Sequence, residues 1–392
     1  MSGRILAGFL AVLLMMVVGA AEPIRVVQAE EILKKIELGQ PVEYDNVTIV
    51  GDLDLRGLNL TRAAVKRTEV ERNWWGLPDY ELIVASPIII CNSVIKDSVN
   101  LNGTFFQNIT IFLGTSFRRS AFLIGAKFKQ DAGFYDAQFN QIAVFDGARF
   151  NQGASFWGAQ FNQNAIFGRV WFNQDANFWD AQFNQNAVFD GAWFNQGASF
   201  WNAQFNQSVS FYRAQFNQTA EMSDAKFNQE SYFDEINFFN LFFNNSQFSK
   251  EAFFDGAQIN GTLSLFRTKY DVLNIRWSSI HDLAYDDTAY HLLIQNFNKL
   301  GFGDDARECQ YSYRCKHREE LFRQHKFDSW LFNLLAYATY GYGLRPVRPL
   351  GWAALFIMLG GLFFVLTGSV TRSKESPSGK KPLALRRRED KP

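Results

Sequence analysis

The sequence predicts an all-β solenoid, a chain wound into stacked coils of about 22 residues with four short sides each, opened by a capping helix and closed by a helical segment. Three observations predict it. The stretch "FWDAQFNQNAVFDGAWFNQ" (178–196) stands almost unchanged 22 residues earlier as "FWGAQFNQNAIFGRVWFNQ", and returns as "FWNAQFNQ". From Phe128 to Phe216 the Phe residues advance in alternating steps of six and five, which the 3.6-residue helix period does not fit. Ala lies two places before nearly all of them (Ala137, Ala143, Ala148, Ala154, Ala159, Ala165), with Val170 and Val209 as exceptions. A packed globular core needs varied side chains for varied pockets, so a phrase repeated this often means that each copy meets the same surroundings, as in a stack.

Taken from the N-terminus, residues 1–21 read as a secretory signal. Arg4 precedes an apolar run from Ile5 to Val18, and Gly19 and Ala21 stand three places and one place before a cut at Glu22. An uncleaved anchor is the other reading. Residues 22–44 supply a capping helix, because Val27, Ile32, Leu33 and Ile36 share one helical face that ends at Gly39. Solenoid ends expose unpaired edges and need such covers.

Residues 45–276 form the solenoid. Ala and Phe two apart point the same way along a short extended piece, the residues between them point out, and Asn, Asp, Gly and Gln suit the turns. Tyr135, Trp157, Trp179 and Trp201 are 22 apart, as are Trp171 and Trp193, whereas the sites 11 beyond the first set hold Asp146, Gly168, Asp190 and Tyr212. The repeat is therefore 22 residues. Coils stack at a strand spacing of ~4.8 Å. Each buried Phe stabilises by ~1.5–3 kcal/mol, and ordering the backbone costs a comparable ~1–2 kcal/mol per residue, so several coils must cooperate. Upstream, "VTIVGDLDLRGLNL" and "PIIICNSVIKDSVNLNGTFFQNITIFLGTSF" keep an alternating apolar pattern on either side of an insertion, "TRAAVKRTEVERNWWGLPDYEL".

The five-residue units "AQFNQ", "AVFDG", "ARFNQ" and "ANFWD", each with Ala two before a central large apolar residue, resemble those of pentapeptide-repeat proteins from about Ser116 to Leu265. The resemblance implies a right-handed four-sided parallel β-helix. This chain uses Phe where Leu is commoner and inserts a sixth residue in alternate units, which implies a wider coil and a larger core.

Residues 277–346 switch to helical periodicity. Leu292, Leu293, Phe297 and Leu300 make one stripe, a hairpin turns at Gly301 to Asp304, and Trp330, Tyr337, Tyr340 and Tyr342 suit a membrane interface. The uncharged run "GWAALFIMLGGLFFVLTG" within 347–368 is long enough for one transmembrane helix, since ~20 residues at ~1.5 Å each cross ~30 Å of hydrocarbon. The Lys- and Arg-rich tail, 369–392, is too polar to fold alone and places that end on the cytoplasmic side, with the solenoid outside.

The composition excludes several functions. Basic and acidic residues balance at 39 each, against a phosphate-holding nucleic-acid surface. Cys91, Cys309 and Cys315 are too scattered for a disulfide framework, and the last two are ~9 Å apart if on one helix. Cys309, Cys315, His317 and His325 match no familiar zinc spacing, so no metal and no cofactor is expected. Asp136, Asp180 and Asp224, like Asp146 and Asp190, recur only every second coil and single out no catalytic pair, so the chain is not expected to be an enzyme. Sequons at Asn46, Asn59, Asn102, Asn108, Asn206, Asn217, Asn244 and Asn260 fit export.

The sharper surface signal is aromatic. Trp157, Trp179 and Trp201 follow inward Phe residues, so they are expected to face outward in a stripe with Tyr135; with Trp171 and Trp193 they are the candidate binding residues for a protein or glycan. The competing reading is mutual stabilisation of stacked identical side chains, as expected for an Asn140, Asn162, Asn184, Asn206, Asn228 ladder. The expected function is a non-catalytic, membrane-anchored extracytoplasmic scaffold, with no nucleic-acid partner and with homo-oligomerisation left open. The alternative is a sensor or channel-associated component, since "YGYGLRPVRPLGW" resembles the junction in membrane-tethered pentapeptide-repeat proteins. A DNA-mimicking role is opposed by the zero net charge.

Overall fold

The computed structural model describes residues 25–367, so the expected signal (1–21) and the basic tail (369–392) lie outside the described residues. The chain from Arg25 to Leu283 winds as a parallel β-solenoid of about 12 turns with about 22 residues per coil. Its sides are two-residue strands. One coil reads Ala154–Ser155, Gln160–Phe161, Ala165–Ile166 and Trp171–Phe172, here the first to fourth faces. Each strand pairs in parallel with the strand one coil away, as in Phe150 with Phe172 and Phe172 with Phe194.

Two kinds of corner explain the alternation of five and six. In the five-residue steps the chain makes a tight turn, closed for example by Ala159 N–H on Phe156 C=O at 3.1 Å, with Gly158 at φ +65°. Columns of left-handed residues mark these corners, Asp136, Gly158, Asp180, Asn202 and Asp224 after the first face, and Gly147, Arg169, Gly191 and Arg213 after the third. Gly, Asp and Asn tolerate that conformation best. In the six-residue steps the extra residue widens the corner and leaves room for a side-chain ladder. Asn162, Asn184, Asn206 and Asn228 each donate an amide N–H to the Asn one coil before, at 2.7–2.9 Å, beginning on Asn140. The sixth residue therefore sits at the corners, and the four faces persist.

Inside, every Phe of the regular repeat is buried, with the Ala columns beside them. Phe167 stacks on Phe145 at 4.7 Å and on Phe189 at 5.0 Å, and it meets Phe156 edge-to-face at 5.1 Å and 87°. Stacking along the axis and edge-to-face contact across it are both favourable ring geometries.

The first helix, α1 (Ala29–Glu37), occupies only part of the expected 22–44 segment. Arg25–Gln28 already pairs with Val47–Val50, so strand flanks helix on both sides. α1 buries Ala29, Ile32 and Ile36 in the common core. The insertion makes one coil of 46 residues instead of 22, so that Val47 bonds to Ser93 rather than to a residue of the next regular coil. Within it, Thr61–Ala64 pairs antiparallel with Tyr80–Val84, and a short helix, α2 (Glu69–Asn73), carries a complete capping box from Thr68 and Glu71. Beyond α2 the insertion lies as a strap across the third corner column. Leu77 meets Gly103 and Gly125, Trp75 covers Gly147, and its indole N–H donates to Asp146 at 2.7 Å while Arg169 stacks on the ring at 5.1 Å. A Cβ on Gly147 would lie 2.1 Å from that ring.

Past Phe216 the register shortens: Phe216 pairs with Phe238, but Thr219 pairs with Asn240. There the corner between the fourth and first faces straightens, and Gln215–Glu221, Asn237–Phe242 and Gln258–Ser264 run through it as single strands. The strand Ile280–Leu283 still belongs to the solenoid, so helix begins ten residues later than the expected boundary at 277, with α3 (Asp287–Lys299). α3 covers the last coil. Its buried Asn296 accepts from Leu273 N–H at 3.0 Å and donates to Leu273 C=O at 2.8 Å, satisfying a terminal strand edge that would otherwise stand open. The buried face of α3 is Ala289, Tyr290, Leu293, Asn296 and Phe297; Leu292, expected in the stripe, is exposed. The chain then turns through Gly301, at φ +77°, into α4 (Gly303–Arg323), as the hairpin reading expected.

A second compact unit runs from Arg314 and contains α5 (Phe327–Tyr340) and α6 (Val347–Leu366). Within it, the guanidinium groups of Arg318 and Arg348 both stack on the Tyr337 ring, and the Trp352 indole N–H donates to Ala338 C=O at 2.8 Å. α6 is 20 residues long, with a mean hydropathy of 2.1, and none of it is buried.

Candidate functional site

Trp157, Trp179 and Trp201 occupy the second position of the tight turns after the first face. The backbone N–H of each donates to the outward side chain two residues before it, Ser155, Asn177 and Ser199 respectively. Tyr135 heads the column, lying over Gly133, where a Cβ would be 2.4 Å from its ring. These four rings are half-buried, and here the structure corrects the expectation of an outward stripe. The turn directs the rings back along the first face, over its small outward residues. Trp171 and Trp193 do stand out, on the fourth face, 41% and 37% exposed and stacked at 5.1 Å with planes 4° apart. The six aromatic residues thus form two groups on different faces.

The main column does not stack uniformly. Trp157 and Trp179 are tilted by 38° at 6.1 Å, and Trp201 is turned almost perpendicular to Trp179, at 83° and 4.9 Å. Elsewhere identical rings one coil apart lie nearly parallel. The column ends at Trp201 because Ser223 takes the next site. Against this turned ring lies a groove of about 500 Å³ on the first face, floored by Asn177, Ser199 and Glu221 and walled by Trp179 and Trp201 on one side and Asp175 on the other. Sequence reasoning named the two Trp residues and missed the polar floor. The available signal was the outward position between Ala and the next inward residue of the first face, Phe in three coils and Met222 in the fourth, which runs Ser155, Asn177, Ser199, Glu221.

A hydrogen-bond irregularity accompanies the geometry. The indole N–H of Trp157 donates to the Asp180 carboxylate at 3.4 Å, 23 positions on. The corresponding residue for Trp179 is Asn202, whose amide donates to Asp180 at 2.5 Å, and the buried indole N–H of Trp179 has no hydrogen-bond partner.

Asp and Gly alternate in three corner columns: Asp131, Gly153, Asp175, Gly197; Asp136, Gly158, Asp180; and Asp146, Gly168, Asp190. Carboxylates in adjacent coils would stand ~4.8 Å apart and repel. Gly in the coil between separates them, and the N–H groups of Gly153 and Gly197 donate to Asp131 and Asp175 at 3.0 and 3.1 Å. Even so, desolvation and then the charge of Asp180 push the Asp136 carboxyl up. Burial under the strap does the same to Asp146, outweighing its Arg169 and Trp75 partners. Among the described residues no three His, Cys, Asp or Glu side chains gather to hold a metal ion, and the three cysteines are free.

Residues 112–160, 123–171 and 172–215 each match the family model for pentapeptide repeats. This stretch belongs to the pentapeptide repeats. No curated protein and no solved structure matched the chain. In pentapeptide-repeat terms the central residue of the matched segment is Phe at every site but one, Leu123, and the two Trp groups are additions on its outer faces.

Proposed function

We propose that this pentapeptide-repeat solenoid is a non-catalytic scaffold, held at a membrane by one helix and presenting a repetitive outer surface to a binding partner outside the cell. The fully exposed apolar helix Val347–Leu366 carries the reading. Left in water, an uncovered helix of that length and hydropathy would aggregate, whereas a bilayer accepts it without further change. The leader-like first 21 residues and the basic residues after position 368 support an orientation with the solenoid outside and the tail inside. The scaffold role rests on the walls. Their backbone groups are consumed in the ladders, so what they offer a partner is side chains at fixed intervals.

Protease treatment of intact cells, with epitopes on both ends, tests this. Digestion of the solenoid with survival of the tail epitope is the expected result. A protected solenoid would overturn the orientation and favour a cytoplasmic, channel-associated role. Recovery of the whole chain in the soluble fraction would overturn the anchor.

A further inference from the structure

We infer that the groove beside Trp179 and Trp201 is a subsite for an uncharged oligosaccharide. The inference rests on the proposed scaffold's having a ligand-binding surface, and it names the ligand class.

Trp179 and Trp201 present indole surface from two different orientations, since one ring is turned 83° from the other, so the groove has an aromatic face and an aromatic edge side by side. The opposite wall and the floor are polar: an amide at Asn177, a hydroxyl at Ser199, and carboxylates at Asp175 and Glu221. Its volume, about 500 Å³, lies within the ~300–1,000 Å³ range of small-ligand sites. A pyranose is amphipathic in the matching way, with C–H faces that cover an aromatic ring and equatorial hydroxyls that both donate to carboxylates and accept from amides.

The competing classes are each disfavoured by something in the same groove. A peptide adding as a strand needs free backbone groups, but Phe178 N–H donates to Ser199 C=O and Phe200 N–H to Glu221 C=O, both at 2.7 Å. A nucleic acid or other polyanion needs cations. No Lys or Arg lines the groove, and its two carboxylates repel anions.

The ring geometry is also particular to this place. Trp171 and Trp193, the other aromatic pair, are flat against each other between Arg149 and Gln215, on a different face from the groove and not among its lining residues. They serve as an internal control.

Calorimetric titration of the purified full-length chain, in a detergent without a sugar headgroup, tests the proposal. The probes are the neutral hexasaccharides cellohexaose, chitohexaose and maltohexaose, with hexagalacturonate as the charged counterpart. At least one neutral hexamer is expected to bind, and hexagalacturonate to bind about tenfold more weakly or not at all. Trp179→Ala with Trp201→Ala is expected to weaken binding by about tenfold or more, and Trp171→Ala with Trp193→Ala by less than about twofold. Should the first pair fail to fold, as judged by circular dichroism, Ser199→Arg fills the floor without removing a ring and is expected to abolish binding. Absence of binding by all three neutral hexamers, or binding that survives both the Trp179/Trp201 and Ser199 variants, would overturn the inference. Titration in detergent is indifferent to which side of a membrane the solenoid occupies, so this result and the protease result can fail separately.

Discussion

Phe167 illustrates the residue scale. It is completely buried and touches rings above, below and across the axis. Phe167→Ala should cost about 3–5 kcal/mol, because rigid stacks on both sides collapse poorly into the hole; chemical denaturation followed by circular dichroism measures it. Phe167→Leu should cost less, since the volume is partly kept and only the ring contacts disappear. Asp146 provides a pH signature. Its carboxyl is held above the ordinary aspartate value of 3.8, with burial the leading cause, and one of its oxygens has no partner. A raised carboxyl gives stability that is complete below the unfolded value and is lost as pH rises through the folded one. Asp146→Asn should remove that fall, so the variant gains on the parent at neutral pH and the gain vanishes below about pH 3.8. Denaturation midpoints at pH 3 and pH 7 would show it.

At the scale of elements, the strap and the Asn ladder use two different corners of the solenoid in opposite ways. The strap closes over a corner column where Gly103, Gly125 and Gly147 leave space, and stops where Arg169 takes the column and stacks on Trp75. Gly147→Ala meets both a φ of +66° and a ring 2.1 Å from the new methyl, so it should expel Trp75. Hydrogen exchange should then quicken across 61–79 while the coils on the far corners keep their protection. In the ladder, Asn184 donates to Asn162 and accepts from Asn206. Asn184→Ala should cost roughly 1–3 kcal/mol, the worth of two half-buried bonds. Asn184→Asp keeps only the acceptor half and should fall between the two.

For the whole molecule, nearest-neighbour stacking makes length adjustable in units of one coil. Removing residues 145–188 deletes two coils in phase, leaving Phe against Phe and Asn against Asn at the junction, keeping Asp and Gly alternate, and bringing Asp190 and Gly191 to the places of Asp146 and Gly147, so the shortened chain should fold with the same circular dichroism shape and a lower melting temperature. Removing residues 147–166 sets Ala columns against Phe columns and should abolish the cooperative transition. Exchange protection should peak in the regular central coils, where every neighbour is identical, and decline beyond Phe216, where the register shortens.

The interior was legible from residue identities alone. Ala and Phe at fixed steps, with Trp recurring at 22, specify an inward column and a coil length, because a stack offers each copy the same environment. The Asn ladder followed from the same logic and is present at all five expected positions. What sequence could not supply was anything dependent on direction at a corner. That the Trp rings fold back over the first face follows from the turn that carries them, and that Trp201 breaks the stack follows from Ser223 ending the column one coil later. The strap's landing site and the role of Asn296 depended on contacts between residues far apart in sequence, 71 positions for Trp75 and Asp146 and 23 for Asn296 and Leu273. Repetition encodes what every coil shares. The departures from it, where a groove, a strap and a cap are placed, are set by which distant parts of the chain come to lie side by side.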